Sequence, residues 1–164
     1  MTPGSHERSR QQLPQGDRKR DHGRMADSYP RIAQVVLDTT DARGLAEFYR
    51  RLFGLGYRAG DEPPPTGEPD PRGRDWLVLR NPHGGPQLAL QQTQGVRPST
   101  WPDAAVPQML HLDTVVPTRE ELQIQRRRAL DLGAALLLDR ADDEDEPLYV
   151  FADPAGHPFC IFVG

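Results

Sequence analysis

The chain has 164 residues, a hydrophobic fraction of 36% and a formal net charge of −4. That length suits one domain or two small modules sharing a core, and the low apolar content points to a stretch that does not pack. The single cysteine, Cys160, excludes an internal disulfide framework and fits a reducing cytoplasm, and no apolar run is long enough to span a membrane.

Residues 1–29 carry few apolar side chains, and none at helix or strand period, so they are expected to be a disordered tail before a single domain over 30–164. The tail lacks the apolar stretch of a signal peptide, and Asp17, Asp21 and Asp27 argue against a transit peptide. Met25 is an alternative start to Met1, which N-terminal sequencing of natively expressed protein would decide. Arg8, Arg10, Arg18, Lys19, Arg20 and Arg24 give the tail a charge of about +2, which leaves about −6 for the remainder. An acidic folded part is a poor surface for phosphates, so no nucleic-acid partner is expected.

From residue 31 the chain becomes orderly. Residues 31–38 (RIAQVVLD) form a short, apolar, β-branched run that predicts a strand. Thr39, Thr40 and Asp41 are N-cap candidates. Leu45, Phe48, Tyr49, Leu52 and Phe53 follow at helical spacing, and Gly54 is placed to end the helix. Residues 56–60 start a second strand, and the Pro-rich segment 61–73 (DEPPPTGEPDPRG) reads as a surface loop. Residues 76–80 and 87–92 then predict two strands joined by the turn NPHGGP. Module one thus covers 31–94, as strand, helix and three strands.

A Pro-rich linker, 95–108, leads to module two, 109–164, where the order repeats. Residues 109–116 predict a strand. Thr118 with Glu121 makes a capping-box pattern, and Leu122, Ala129 and Leu132 form a helical stripe ended by Gly133. Residues 134–139 predict a strand, an acidic run follows at 142–146, and 147–152 and 159–163 close the module as a hairpin around DPAGHP. The turns NPHGGP and DPAGHP align without gaps, as do the strand-to-helix starts, with Gln34 over His111 and Leu45 over Leu122. Two matched features in the same order point to internal duplication.

Module two resembles the vicinal-oxygen-chelate superfamily, which includes glyoxalase I, extradiol dioxygenases and bleomycin-binding resistance proteins. The resemblance covers residues 31–164, and its most specific part is the ending DPxGHPFCIFV after a strand beginning His-Leu-Asp. It is closest to small bacterial glyoxalase-like proteins of unassigned activity. The resemblance implies an α+β fold, with two βαβββ modules whose curled mixed sheets surround a shared cavity. Members commonly dimerise, sometimes pairing modules across chains, which leaves a homodimer open for this chain.

The resemblance also implies four pseudo-symmetric positions that hold a metal in metal-dependent members. In module one these are Gln34 on the first strand and Leu88 on the last, or Ala89 if the register slips by one. In module two they are His111 on the first strand and Cys160 on the last, where a Glu is usual. Leu88 and Ala89 cannot ligate, Gln is a weak ligand, and an activating divalent ion needs three or four good ones. No cofactor is therefore expected, and a divalent metal on Gln34 and His111 is the alternative.

Asp113 lies two residues from His111, so both side chains leave a regular strand on the same side. Such a pair can act as an acid–base couple, or be a buried polar pair or solvated strand end. Cys160, inside the apolar run PFCIFV, is expected to line the cavity floor without reacting. Phe162, Trp76 and Trp101 are candidates to stack on a flat ligand, and one of Gln91 and Gln92 is expected to point inward. His83 and His157 fall in the hairpin turns and are expected to face solvent, and the arginines at 126–128 are read as a solvated helix face.

The expected function is binding of a small organic molecule in a cavity containing Gln34, Leu88, His111, Asp113, Cys160 and Phe162, without metal. This would be either a sequestering module or a metal-free isomerase or lyase. The alternative is a metal-dependent lyase, isomerase or dioxygenase with unexpected ligands. A third class, a pure interaction module, predicts a cavity filled by side chains. Lactoylglutathione lyase activity is disfavoured by Cys160 and by Leu88 or Ala89. Fold alone does not choose among these.

Overall fold

The computed structural model describes residues 30–164; the predicted tail and the alternative start at Met25 lie outside them. Module one runs β1 (Gln34–Thr39), α1 (Ala42–Phe53), β2 (Gly56–Tyr57), β3 (Trp76–Arg80) and β4 (Gln87–Gln92). Module two runs β5 (Leu112–Val116), α2 (Arg119–Asp131), β6 (Ala135–Arg140), β7 (Leu148–Ala152) and β8 (Pro158–Val163). Each module is one mixed four-stranded sheet, ordered β1-β4-β3-β2 and β5-β8-β7-β6. In both, the first strand pairs parallel with the last, and the other pairs are antiparallel. The duplication inferred from the two turns is therefore a duplication of topology.

The helices begin and end where local chemistry directs. Asp41 caps α1 by accepting from the Gly44 amide at 2.9 Å, and Thr118 caps α2 by accepting from the Glu121 amide at 3.1 Å. Gly54 ends α1 at φ 66°, a left-handed conformation that glycine adopts without penalty. Gln92 ties β4 to the start of α1. Its Oε1 accepts from the Ala42 amide at 2.9 Å and its Nε2 donates to the Thr40 carbonyl at 2.6 Å.

Helix α1 buries Ala42, Leu45, Ala46, Phe48, Tyr49 and Leu52, the i, i+3, i+4, i+7 face expected from its spacing. Each large side chain there is worth about 1.5–3 kcal/mol of burial. It packs on Leu37, Leu77, Leu79, Leu88 and Leu90 of its own sheet and on Phe159 of the other, with ring centroids of Phe48 and Phe159 5.9 Å apart. Helix α2 buries only Leu122 and Ala129. The helix-facing sides of both sheets thus share one core, with Phe159 touching Phe48, Tyr49, Phe53 and Phe151.

Several sequence readings shift. The second strand is Gly56–Tyr57 rather than five residues, because Arg58 turns back so that its carbonyl accepts from the Asp61 amide at 2.9 Å. The Pro-rich loop is ordered. Asp61, 1% exposed, accepts from the Val78 amide at 3.0 Å and pairs with Arg58 at 2.9 Å. Arg43 reaches across to Asp70 at 2.7 Å and to the Asp61 carbonyl at 2.8 Å, and the loop ends in a 3-10 turn at Arg72–Arg74. We expect Asp61→Asn to cost about 1–3 kcal/mol in urea denaturation and to expose the loop to limited proteolysis, since an amide cannot serve both donors. An unchanged midpoint would show that Arg43 alone holds the loop.

His157 does not face solvent as a turn histidine was expected to. Its side chain is 19% exposed, and Nδ1 lies 2.9 Å from the buried Asp153 carboxyl. Asp153 folds the DPAGHP turn around itself, accepting from the Ala155 and His157 amides, and also from Tyr49 Oη of α1 at 2.7 Å. Gly156 follows at φ 95°, so tightly against Pro98 of the linker that a Cβ there would overlap it. Of the arginines at 126–128, Arg126 is partly buried with its guanidinium 5.4 Å from the Tyr149 ring centre, so the helix face is not uniformly solvated.

Candidate functional site

Strand alternation sorts each sheet into a core face and an opposite face. On β8, Phe159 and Ile161 enter the core, so Cys160 and Phe162 point the other way. Their neighbours on that face follow from the register: Asp113 and Val115 on β5, and Val150 and Leu148 on β7. Beyond them lie Leu138 and Arg140 on β6. His111 directly precedes β5, two residues from Asp113 and on the same side.

This face forms the floor of a cavity of about 340 Å³. Its lining contains four of the residues predicted for the pocket, His111, Asp113, Cys160 and Phe162, together with Trp101. His111 Nε2 stands 3.3 Å from Asp113 Oδ1, and the Cys160 thiol donates to the same oxygen at 2.7 Å. His111 and Asp113 are both about half exposed, so their attraction is screened by water and adds little stability. Burial, reinforced by the Asp113 carboxylate, pushes the Cys160 thiol up to about 12, so at neutral pH it is a donor and not a nucleophile.

Gln34 and Leu88 are not among the residues lining this cavity. Gln34 belongs to β1 of the other sheet, where it pairs with Gln87. Leu88 is 7% exposed in the shared core, on the face opposite to the one predicted. Val36 pairs with Ala89 as Asp113 pairs with Cys160, so the counterpart of Cys160 is Ala89 and the register one residue on is correct. Gln91 lies on the same face as Ala89, whereas Gln92 is used as a helix cap.

Arg140 and Glu146 also line the cavity and were not singled out from sequence. Period-two alternation through residues 134–139 would have marked Leu138 and Arg140. Glu146 follows the acidic loop and carries no periodic signal. Arg140 is held by Asp143 and, at 3.6 Å, by Glu146. Asp143 is lowered to about 2 by Arg140 and by backbone amides of its own loop. A larger cavity, about 710 Å³, lies elsewhere, between β1 and β5, and every residue of β5 borders it. Of the residues predicted for the pocket it contains Leu88 and Asp113 but none of His111, Cys160 and Phe162.

The donor set does not fit a divalent metal. Ala89 offers no ligand, Cys160 is a neutral thiol bonded to Asp113, and Gln34 is a neutral amide on the other sheet. Among the described residues no group of three or more His, Cys, Asp and Glu is arranged to hold an ion.

Solved structures match the chain across most of its length. A glyoxalase/bleomycin resistance protein/dioxygenase family enzyme from Burkholderia phytofirmans PsJN has TM-score 0.59 at 16% identity, covering 82% of this chain and 98% of that one. A glyoxalase-related enzyme from Fulvimarina pelagi has TM-score 0.57 at 20% identity, covering 83% and 89%. The fosfomycin resistance protein FosX from Mesorhizobium loti has TM-score 0.56 at 11% identity, covering 85% and 94%. At these identities the likeness shows the fold alone. No curated protein matches the chain in sequence. The model of the glyoxalase-like domain matches residues 34–162, both βαβββ modules from β1 to β8, and the chain therefore belongs to the glyoxalase-like domain family of the vicinal-oxygen-chelate superfamily.

Proposed function

We propose that this protein binds a small organic molecule in the cavity of module two and does so without a metal. What carries the reading is the convergence of His111, Asp113, Cys160 and Phe162 with Trp101 around one open space, next to a donor set unsuited to an ion. The cavity also argues against a pure interaction module, which would fill this face with side chains. His111 and Asp113 are the acid–base candidates for a metal-free isomerase or lyase, because a proton on either can reach a bound ligand from the floor. The single free thiol suits a reducing compartment.

The second partner in this reading is another copy of the chain. Each of β1 and β5 is an edge strand with one neighbour in its sheet, and the larger crevice lies between them. Val115 on β5 is 59% exposed, Met109 just before it 95%, and Ile32 just before β1 77%. Apolar edges of this kind associate unless covered. We expect Val115→Lys to convert the dimer to a monomer in light scattering; a wild type already monomeric at 100 μM (roughly the range of weak dimers) would refute this part.

The binding reading is tested by a thermal-shift screen of small organic molecules on wild type and His111→Ala, with and without chelator, followed by elemental analysis. The expected result is hits that survive chelation, weaken in His111→Ala and quench Trp101 fluorescence. Stoichiometric metal that is lost in His111→Ala would overturn it and point to metal-dependent lyase, isomerase or dioxygenase assays.

A further inference from the structure

The reading above leaves the ligand's chemistry open, and the charges around the cavity narrow it. Among the described residues five titratable groups line the space: His111, Asp113, Arg140, Glu146 and the protonated Cys160. The one permanent cation, Arg140, is already met by two carboxylates, Asp143 and Glu146. Asp113 is placed differently. Its Oδ1 takes the Cys160 thiol and faces His111, while Oδ2 has no hydrogen-bond partner among the described residues and its side chain is 59% exposed. A carboxylate oxygen is thus left available at the cavity floor.

The field at the floor has the same sign. Asp113 and, more weakly, Glu146 both act to hold the proton on Cys160. The acidic run 142–146 leads directly into Glu146 and adds to it. Apart from Gln108, the rest of the lining is apolar or aromatic, with Trp101, Phe162, Leu138, Leu148 and Val150 among it. Aromatic faces attract cations electrostatically and accept flat apolar bodies by burial. A space of about 340 Å³ is at the lower end of small-molecule sites.

We infer that the cavity takes an organic cation, a flat apolar body of one or two rings bearing a protonated amine or quaternary ammonium, with Asp113 Oδ2 as its counter-charge and Trp101 and Phe162 as its walls. The inference rests on the proposal that this cavity is the ligand site. It disfavours carboxylates, phosphonates and other anions, which would meet Asp113 and Glu146 with no free cation to offset them.

The test uses three probes with one body and three charges: 2-naphthylmethylammonium, 2-naphthalenemethanol and 2-naphthoate. Binding is measured by calorimetry at pH 7.5 on the full chain, with near-ultraviolet circular dichroism confirming that each variant is folded. The expected order is cation, then alcohol, then anion, with the cation at least ~10-fold tighter than the anion and weakened by 0.5 M salt, where the Debye length falls to about 4 Å. Asp113→Asn should weaken the cation about 10-fold and leave the alcohol unchanged, as the loss of one charge-assisted contact requires. If 2-naphthoate binds best, the charge inference falls while the cavity remains the ligand site. If Asp113→Asn leaves cation affinity unaltered, Asp113 is not the counter-charge and the inference also falls. If none of the three binds at millimolar concentration and Trp101→Phe changes no signal, both the inference and the proposal beneath it are wrong.

Discussion

Replacing Asp153 by Ala should cost about 3–5 kcal/mol, because it strips four donors of their acceptor inside the molecule. The Ala155 and His157 amides, the His157 ring and Tyr49 Oη all converge on this carboxyl, whose side chain has no exposed surface. Two of these donors shape the turn and one belongs to α1 of the other module. The substitution therefore loosens the DPAGHP turn and the junction between modules together. In a domain of this size the midpoint of thermal unfolding should fall by on the order of 10 °C or more. Tyr49→Phe removes one bond and keeps the ring in the aromatic cluster, so it should cost only about 1–2 kcal/mol. A double-mutant cycle of Tyr49→Phe with Asp153→Asn, followed by urea denaturation, separates the inter-module bond from the turn. Additive losses would mean that the tyrosine and the carboxyl do not act on each other, and that apolar packing in the shared core joins the modules.

The second large effect concerns the reactivity of Cys160. A thiol pushed up to about 12 holds its proton at pH 8 far more completely than an unhindered cysteine does. Only the thiolate attacks, while the greater nucleophilicity of a weaker acid returns part of the loss. The net expectation is alkylation by iodoacetamide on the order of 100-fold slower than that of a free cysteine at pH 8. The sign of the pH dependence follows directly. Because the folded-state value is raised, the rate should still climb about tenfold per pH unit at pH 10, where an ordinary thiol has levelled off. Asp113→Asn should speed the reaction only in part, since burial is the larger cause and the carboxylate the smaller. A rate that levels off near pH 8.5 in the wild type would show that neither the burial of Cys160 nor its contact with Asp113 persists in solution.

The two experiments probe different halves of one design. Asp153 is a polar group spent on architecture, fully enclosed and with both oxygens occupied. Asp113 is the same side chain at an open strand edge, with one oxygen committed and the other facing space. The DPAGHP turn marks Asp153 as a residue that bonds its own backbone, but its local sequence does not show that the carboxyl also meets α1. The difference arises because Asp113 points away from the core and Asp153 points at Tyr49, a residue 104 positions earlier.

What local chemistry determines was legible without the structure. The apolar spacing of Leu45, Phe48, Tyr49 and Leu52, the caps at Asp41 and Thr118, and the glycine at 54 act over a few residues, so α1, α2 and the repeated strand order could be read directly. Period-two alternation likewise placed His111, Asp113, Cys160 and Phe162 on one face. Register and partnership were another matter. Whether Leu88 or Ala89 takes the sheet face that corresponds to Cys160 depends on hydrogen bonds to β1 some fifty residues away, and both are apolar, so their own sequence carries no preference. The order in the Pro-rich loop depends on Asp61 and Arg43 meeting across a turn, and His157 is held by Asp153, whose carboxyl is itself fixed by Tyr49 of α1. Glu146 belongs to the loop between β6 and β7 and meets the cavity beside Arg140, a placement that no periodic pattern in its own segment carries.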